Sequence, residues 1–345
     1  MEDEYTVESR FNKRYSIISR KIVRLLSENA RLSVAEMAKQ IGVSRPTISD
    51  KLKRLENELG LRYTLELNEP AMGLNSPHII AVKFDKKPSY DKIRSILIKS
   101  YIPQVALSVS GDYDMVIYAN AVSGGEYAKW DKAMRILLGD FRAVWEPSEV
   151  IHRQLCFFPL RSGAINKTKL DQNSRLLLSS LNDNARMSFQ QLSKRLNMHF
   201  NTVKYNFDKL VSMGCIKRPT ITMDLVKDVS FISWFSNYSP TTGYEKSSAK
   251  ARLPLFTDDE NPLINRYLLT ASLIGSHDLF SIDVFDDKAT AHKYDLSYHK
   301  NLFTKHSIKM ISGEIKDVII GRLPIRSVDI RQEWNKITWT TEMNE

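Results

Sequence analysis

The sequence predicts an α+β fold made of two tandem units of similar design. Its 345 residues are 42% hydrophobic and 26% charged, a balance typical of globular proteins with about two or more domains. Residues 29–33 (NARLS) recur as 184–188 (NARMS), and the same offset aligns further identical residues: Lys39 with Lys194, Thr47 with Thr202, and Leu55 with Leu210. In each copy, apolar residues at helical spacing precede alternating apolar and polar residues. Each unit is therefore predicted to hold a helical domain followed by a sheet.

The helical part of the first unit has the pattern of a helix-turn-helix domain. Apolar residues at helical spacing predict one helix over 22–32 and a second over 34–41. A tight turn at Gly42 follows, Ser44 is a good N-cap for a third helix, and Gly60 ends that helix. Two short helices joined by a tight turn are typical of the helix-turn-helix motif.

The second unit repeats these helices, and a sheet pattern follows each set. The second set predicts helices over 189–196 and up to Gly214, with a turn at 197–198. In the first half, strands are predicted at 78–84, 105–109, 115–119 and 143–155, and helices at 90–101 and 126–138. The second half predicts strands at 229–235, 268–274, 279–284 and 309–320, a helix at 289–306 and an insert at 241–262. The order β-α-β-β-α-β is that of the ferredoxin-like unit.

These elements divide the chain into four domains and a tail. The trihelical, winged helix-turn-helix domains span 15–68 and 168–224, and the ferredoxin-like domains span 76–160 and 228–326. A polar linker near 161–172 joins the halves. The C-terminal tail, 327–345, contains Trp334 and Trp339, which we expect to pack on the fold.

The succession of these domains resembles the Lrp/AsnC, or feast/famine, family of transcription regulators. The residues that carry the resemblance are 29–31 (NAR), 38–47 (AKQIGVSRPT), 54–56 (RLE), 63–68 (YTLELN) and the turn 111–114 (GDYD). Family members usually carry one such unit and pair as dimers. The resemblance thus implies a covalent pseudo-dimer that binds double-stranded DNA and forms a homodimer or higher oligomer through its βαββαβ domains. It also implies an amino acid or other small effector, and no cofactor.

The distribution of charge along the sequence also favours DNA as the partner. The net charge of +10 alone favours an anionic partner but does not choose between nucleic acid and a membrane surface. Residues 9–75 and residues 165–228 each carry a net +6, whereas residues 229–345 carry −1. Because neutralising phosphates releases condensed counterions, basic charge on both helical domains favours DNA.

The second helix of each motif supplies the candidate DNA contacts, since its N-terminal part meets base edges in helix-turn-helix proteins. In the first unit these are Ser44, Arg45, Thr47, Ser49, Lys51 and Arg54. Arg45 is the best candidate for bidentate guanine readout, Lys51 and Arg54 for phosphates, and the Ser44 cap for a phosphate at the helix N-terminus. The alternative is a solvated helix face.

In the second unit the corresponding candidates are Asn201, Thr202, Lys204 and Tyr205. Asn201 is suited to adenine and Lys204 to a phosphate. His199 is a poorer cap than serine, and Phe200 is unusual at such a surface, with packing as its alternative role. Whether this second domain binds DNA at all stays open at this point.

Two strand turns are candidate effector sites because, by the resemblance, they lie near the surface on which βαββαβ domains pair. The residues are Gly111, Asp112 and Asp114 in the first half and Gly275 and Asp278 in the second. The alternative is that glycine and aspartate only serve the tight turns.

Other classes of protein are less well supported. Cys156 and Cys215 are too few for a disulfide framework, no run of about 20 apolar residues is present, and the acidic residues 2–4 are unlike a signal peptide. We therefore expect a cytoplasmic protein with no metal site and no enzyme activity. The alternatives are an enzyme on the same scaffold, resembling the siroheme decarboxylases, and an interaction protein with degenerate helix-turn-helix domains.

Overall fold

A computed structural model describes most of the chain. The described residues are 16–154, 156–222, 224, 230–238, 267–285, 307–323 and 325–326. Within these ranges the chain forms two helix-turn-helix domains and one closed barrel of eight strands, a mixed α+β fold as predicted. None of the helices there combines the length and the apolar character that crossing a bilayer requires.

The first helix-turn-helix domain, called head 1 below, forms as the apolar spacing predicts. It consists of α1 (Ile17–Glu28), α2 (Val34–Ile41), α3 (Arg45–Leu59) and the strand β1 (Arg62–Leu67). Ser33 and Glu36 form a capping box at the start of α2. Gly42 ends that helix at a φ of +80°, a left-handed conformation that glycine adopts without steric cost.

The first half of the barrel follows head 1. After a 3-10 turn at Pro70–Met72 come β2 (Ser76–Lys83), α4 (Tyr90–Leu97), β3 (Pro103–Gly111), β4 (Met115–Ala121), α5 (Gly124–Leu137), β5 (Val144–Gln154) and β6 (Cys156–Phe157). Helices α4 and α5 bury Ile93, Leu97 and Trp130 against the outer face of these strands. The β-α-β-β-α-β order matches the sequence prediction for this half.

The segment between the halves is packed rather than a polar linker. It contains the short helix α6 (Ser162–Ile165), in which Ala164 and Ile165 are completely buried. The Arg161 guanidinium donates to the carbonyl oxygens of Ser100 at 3.1 Å and Pro103 at 2.7 Å. The polar composition did not predict this packing. Arginine has a long apolar stem, and its charged guanidinium can satisfy carbonyl groups inside a packed segment.

The second helix-turn-helix domain, head 2, again has the predicted elements. These are α7 (Gln172–Asp183), α8 (Phe189–Leu196), α9 (Phe200–Ser212) and β7 (Ile216–Thr222). Ser188 and Gln191 form a capping box like that of head 1. Asn197 takes the left-handed conformation, φ +50°, at the turn where head 1 has Gly42.

The second half of the barrel contributes strands at the predicted positions. They are β8 (Ser230–Tyr238), β9 (Tyr267–Gly275), β10 (Leu279–Phe285) and β11 (Ser307–Ile320), followed by the short β12 (Ile325–Arg326). The predicted helix 289–306, the insert 241–262 and the tail 327–345 lie outside the described residues.

The eight long strands close into one antiparallel barrel within a single chain. Their order is β10-β8-β11-β3-β4-β2-β5-β9, and β9 pairs with β10. In each half, the first strand lies between the third and the fourth. The halves meet at two seams, β3 with β11 and β5 with β9, and the aromatic rings of Tyr113, Phe235 and Phe280 pack together in the core they share. The closed barrel was not predicted.

Candidate DNA-binding surface

Of the predicted contact residues of helix α3 in head 1, Ser44, Arg45, Ser49 and Arg54 are exposed, whereas Thr47 and Lys51 are half-buried. Ile48 and Leu55 are buried in the head core, so the opposite face of the helix is outward. The Ser44 hydroxyl accepts a hydrogen bond from the Thr47 amide at 3.3 Å, which confirms the predicted N-cap. Arg45 is exposed at the first position of the helix. Because Arg45 is exposed there, its guanidinium can extend into solvent far enough to contact a base edge.

The other α3 candidates differ in their exposure and in their hydrogen bonds. Ser49 is exposed, and Lys51 is half-buried. Arg54 is exposed, but its Nε donates to Glu58 Oε1 at 2.6 Å one turn further along the helix. Because solvent-exposed ion pairs of this kind contribute little, a phosphate can replace Glu58 as the partner of Arg54. Glu58 was not among the site residues predicted from the sequence.

Helix α9 of head 2 presents a different set of groups at the matching positions. Asn201, Lys204 and Tyr205 are exposed, and Thr202 is half-buried. The cap is weaker than in head 1, since His199 Nδ1 accepts from the Asn201 amide at 3.4 Å. Phe200 is 41% exposed, while the edge of its ring contacts Phe189 with the centroids 6.3 Å apart.

Two arginines at equivalent positions join the heads. Arg31 of head 1 donates through Nη2 to the Met187 carbonyl at 2.8 Å. Arg186 of head 2 donates to the carbonyls of Ala30 at 2.8 Å and Leu32 at 2.7 Å. We call these contacts the arginine clasp. In the sequence both arginines mark the repeat, and Arg31 also belongs to the residues that carry the family resemblance, but this contact between the heads was not predicted.

The heads also exchange their strands. β1 of head 1 pairs antiparallel with β7 of head 2, and Ile221 of β7 completes the core of head 1 while Leu65 of β1 completes the core of head 2. The Thr64 hydroxyl donates to the Asn182 carbonyl at 2.8 Å, and the Thr220 hydroxyl donates to the Ser27 carbonyl at 2.9 Å. The two heads therefore form one body with approximate twofold symmetry.

A buried carboxylate is paired across this shared sheet. Glu66 on β1 is 2% exposed, and it accepts a hydrogen bond from Arg218 Nε of β7 at 2.9 Å. Lys217 Nζ lies 3.6 Å from the same carboxylate. A buried carboxylate requires such paired donors, because removal of a single partner leaves an uncompensated charge.

The first candidate effector turn lies at the seam between β3 and β11. The Asp112 carboxylate accepts from the Ser312 amide at 2.8 Å, and the Asp114 carboxylate accepts from the Phe84 amide at 2.9 Å and lies 3.3 Å from Lys87 Nζ. A Cβ atom at Gly111 would lie 2.4 Å from the Ser312 carbonyl oxygen. Gly111 and Asp112 therefore have structural roles at the seam, and Asp114 has one within the first half.

The second candidate turn lies at the other seam, between β5 and β9. Gly275 has a φ of +133°, and a Cβ atom there would lie 2.9 Å from the Pro147 carbonyl oxygen. Asp278 is half-buried in the same turn. The turn also buries His277, whose Nδ1 lies 2.9 Å from Asn237 Oδ1 and whose Nε2 lies 3.3 Å from Glu146 Oε2. His277, which matches Tyr113 of the first turn, was not among the site residues predicted from the sequence.

Comparisons with known proteins agree with this geometry. The family model of the AsnC-type helix-turn-helix domain matches residues 17–56, and that of a winged helix-turn-helix DNA-binding domain matches residues 170–217. An uncharacterized HTH-type transcriptional regulator of Pyrococcus furiosus is 30% identical over 142 residues, which are 36% of this chain and 95% of the relative. HTH-type transcriptional regulator FL11 of the same organism is 31% identical over 103 residues, 29% of this chain and 66% of that protein.

A solved structure is similar over nearly the whole chain. The crystal structure of the siroheme decarboxylase NirDL matches 94% of this chain and 99% of its own with a TM-score of 0.56, at 10% sequence identity. At that identity the similarity concerns the fold. Because the AsnC-type domain is present and a regulator 30% identical is matched over nearly its full length, the chain belongs to the Lrp/AsnC family of DNA-binding helix-turn-helix transcription regulators.

Proposed function

We propose that this protein is a sequence-specific, cytoplasmic transcription regulator whose two halves act as a covalent pseudo-dimer. The observation that carries the proposal is the pair of outward-facing helices α3 and α9 on two basic heads held as one body by the arginine clasp and the exchanged strands. A fixed pair of helix-turn-helix domains contacts two half-sites separated by about one helical turn, roughly 34 Å, or by a multiple of it.

The proposed domains are those expected from the sequence. Each unit consists of a helix-turn-helix domain, 15–68 or 168–224, followed by a ferredoxin-like domain, 76–160 or 228–326. The position of the first strand between the third and fourth strands of each half supports this assignment. We also propose that whole chains associate into a homodimer or higher oligomer, and that the protein has no enzyme activity.

The proposed contacts follow from exposure and side-chain chemistry. Arg45 reads guanine with its fork of donors, and Asn201 reads adenine with its amide. Thr47, Ser49, Thr202 and Tyr205 line the same helix faces. Lys51, Arg54 and Lys204 neutralise phosphates, and the capped N-terminus at Ser44 offers a backbone amide to another phosphate.

We propose a small effector, an amino acid by family resemblance, at the turns that contain Gly111, Asp112 and Asp114 and Gly275 and Asp278. Their location at the two seams supports the idea, because a ligand there can alter how the halves pair. Adding single amino acids to the protein–DNA complex tests it. A change in DNA affinity with one amino acid and none with the others supports this part of the proposal, and no change with any amino acid contradicts it.

Selection of binding sites from random duplex DNA tests the regulator proposal. We expect one enriched motif, and an affinity that falls steeply with salt because several phosphates are neutralised. As a control, a variant with both Arg45→Ala and Asn201→Ala keeps the fold, since both side chains are exposed, but should enrich the motif much less. No enrichment by the wild-type protein contradicts the proposal.

The fold similarity to NirDL favours one second candidate, an enzyme that acts on a tetrapyrrole. Another structure of that decarboxylase is a co-complex with an iron-uroporphyrin III analogue. The alternative predicts that this chain shifts the Soret band of an added iron tetrapyrrole, converts a tetrapyrrole substrate and lacks DNA affinity. The regulator proposal predicts DNA affinity and no turnover.

A further inference from the structure

The two recognition helices are equivalent in position and different in chemistry. The offset of 155 pairs Ser44 with His199, and both residues are N-caps. It also pairs Ile48 with Val203, both completely buried in their head cores. The helices therefore present the same positions outward, and the side chains at those positions can be compared one by one.

Most of the outward pairs differ in charge or polarity. Arg45 pairs with Phe200, Ser49 with Lys204, and Asp50 with Tyr205, whereas Thr47 pairs with an identical Thr202. Arg45, Ser49, Asp50, Phe200, Lys204 and Tyr205 are all exposed, with Tyr205 67% exposed. A guanidinium, a hydroxyl and a carboxylate on one helix thus correspond to a phenyl ring, an ammonium and a phenol on the other.

The two heads cannot move independently of each other on the DNA. The arginine clasp and the β1–β7 sheet hold them in one approximate twofold pair within a single chain. In symmetric dimers, two identical helices read two copies of one half-site, so the operator mirrors the symmetry of the protein. Here the backbone is nearly symmetric and the reading surface is not.

We propose that the operator of this protein is a non-palindromic duplex with two different half-sites, which fixes the direction in which the protein binds. Arg45 selects a half-site containing G·C through the O6 and N7 atoms of guanine. Asn201 and Phe200 select an A·T-rich half-site, since an amide pairs with adenine and an aromatic ring contacts the thymine methyl group. This inference rests on the proposed function.

Three short duplexes test the inference with the full-length protein. One carries the selected pair of half-sites, the second carries two copies of the G·C half-site, and the third carries two copies of the A·T half-site, all in the same spacing and flanks. We expect each symmetric duplex to bind about tenfold or more weakly than the mixed one, because each mismatched half-site loses its base contacts.

Variants identify which helix reads which half-site. Arg45→Ala should abolish discrimination at the G·C half-site only. Asn201 is exposed and has no role in the core, and Asn201→Ala should abolish discrimination at the A·T half-site only. Lys51→Ala is the matched control, since loss of a phosphate contact weakens binding to all three duplexes by the same factor.

The outcomes separate this inference from the proposed function. A selected motif whose two half-sites are copies of each other, or equal affinity for the three duplexes, overturns the inference and leaves a DNA-binding regulator. An unchanged preference in both variants also overturns it, since neither helix then reads its half-site through the assigned side chain. Absence of any sequence-specific binding overturns the proposed function itself.

Discussion

Arg31 and Arg186 stand at equivalent positions of the two heads, and each donates to backbone carbonyl oxygens of the opposite head. Arg31 donates to Met187, and Arg186 donates to Ala30 and Leu32, at 2.7 to 2.8 Å. The accepting residues lie in the segments that lead into α2 and α8. The arginines thus fix the entry of each helix-turn-helix motif and, with it, the relative orientation of the two reading surfaces.

Replacement of one clasp arginine should destabilise the protein measurably. In Arg186→Ala, the carbonyl groups of Ala30 and Leu32 lose their donors, and Tyr63 loses the guanidinium that lies 4.4 Å above its ring. Because unsatisfied partly buried groups are costly, we expect the free energy of unfolding to fall by about 1–3 kcal/mol in urea denaturation. Arg24→Ala, which removes an exposed pair with Glu28, should change it by less than about 0.5 kcal/mol. Equal effects of the two substitutions would show that the clasp is not a stabilising contact.

The seam between β3 and β11 should not tolerate a side chain at Gly111. The Cβ atom of Gly111→Ala would lie 2.4 Å from the Ser312 carbonyl oxygen and 2.7 Å from Gly313 Cα, so the strands must separate locally. We expect a loss of about 2–3 kcal/mol in the free energy of unfolding.

Gly125→Ala is the matched control for this substitution. Apart from its chain neighbours and the backbone of its own helix α5, no atom lies within 4 Å of the added Cβ, so the change should be neutral or stabilising by up to about 1 kcal/mol. Wild-type stability of Gly111→Ala would contradict the close approach of the two halves at this seam.

His78 should make stability depend on pH. Burial lowers the pKa of His78 below its ordinary value of 6.5, although the Ser76 carbonyl and the charges of Glu149 and Asp131 partly oppose the shift. The fold therefore favours the neutral ring, which stacks on Tyr127 at 3.4 Å between centroids. This contribution is complete above pH 6.5, and it is lost as the pH falls through 6.5 toward the lower pKa of the folded state.

His78→Phe tests this relation because phenylalanine keeps the stacking ring and cannot titrate. Between pH 7 and pH 5 the wild-type protein should lose more free energy of unfolding than the variant, by at most about 1.4 kcal/mol per pH unit, the ceiling for one proton. Urea unfolding at both pH values measures the difference. Parallel losses in the two proteins would assign the pH dependence to other groups.

Arg45 and Lys51 should affect DNA binding in different ways. Arg45→Ala should lower the preference for the selected motif over random DNA by about 1–3 kcal/mol. Lys51→Ala should lower affinity for all sequences alike and reduce the slope of log affinity against log salt by about one. Fluorescence anisotropy titrations at several salt concentrations measure both quantities, and an identical pattern for the two variants would exclude the assigned roles.

Local elements were predictable because their signals are local. Ser44 and Gly60 mark both ends of α3, and the apolar spacing identified Ile48 and Leu55 as core residues. Strand positions followed from alternation in both halves. These patterns report which face of an element is buried, and the helix faces that carry Arg45 and Asn201 followed directly from them.

Which distant segments of the chain pair with one another was not predictable. Nothing in the sequence of β1 specifies β7 as its neighbour, so the contact of Leu65 with the core of the other head was not predicted. Closure of the barrel at Gly111 and Gly275 likewise depends on pairing between distant segments. Arg161 appeared to belong to a polar linker because composition does not reveal which carbonyl groups a guanidinium will meet.

Hydroxyl-radical footprinting of the full-length protein on a selected duplex tests directly whether both heads bind DNA as one body. Two heads held as one body should protect two stretches of backbone on one face of the duplex, with centres about one helical turn, or a multiple of it, apart. Arg45→Ala should weaken protection of one stretch more than the other. A single protected stretch, or no protection at concentrations that saturate binding, would contradict the account.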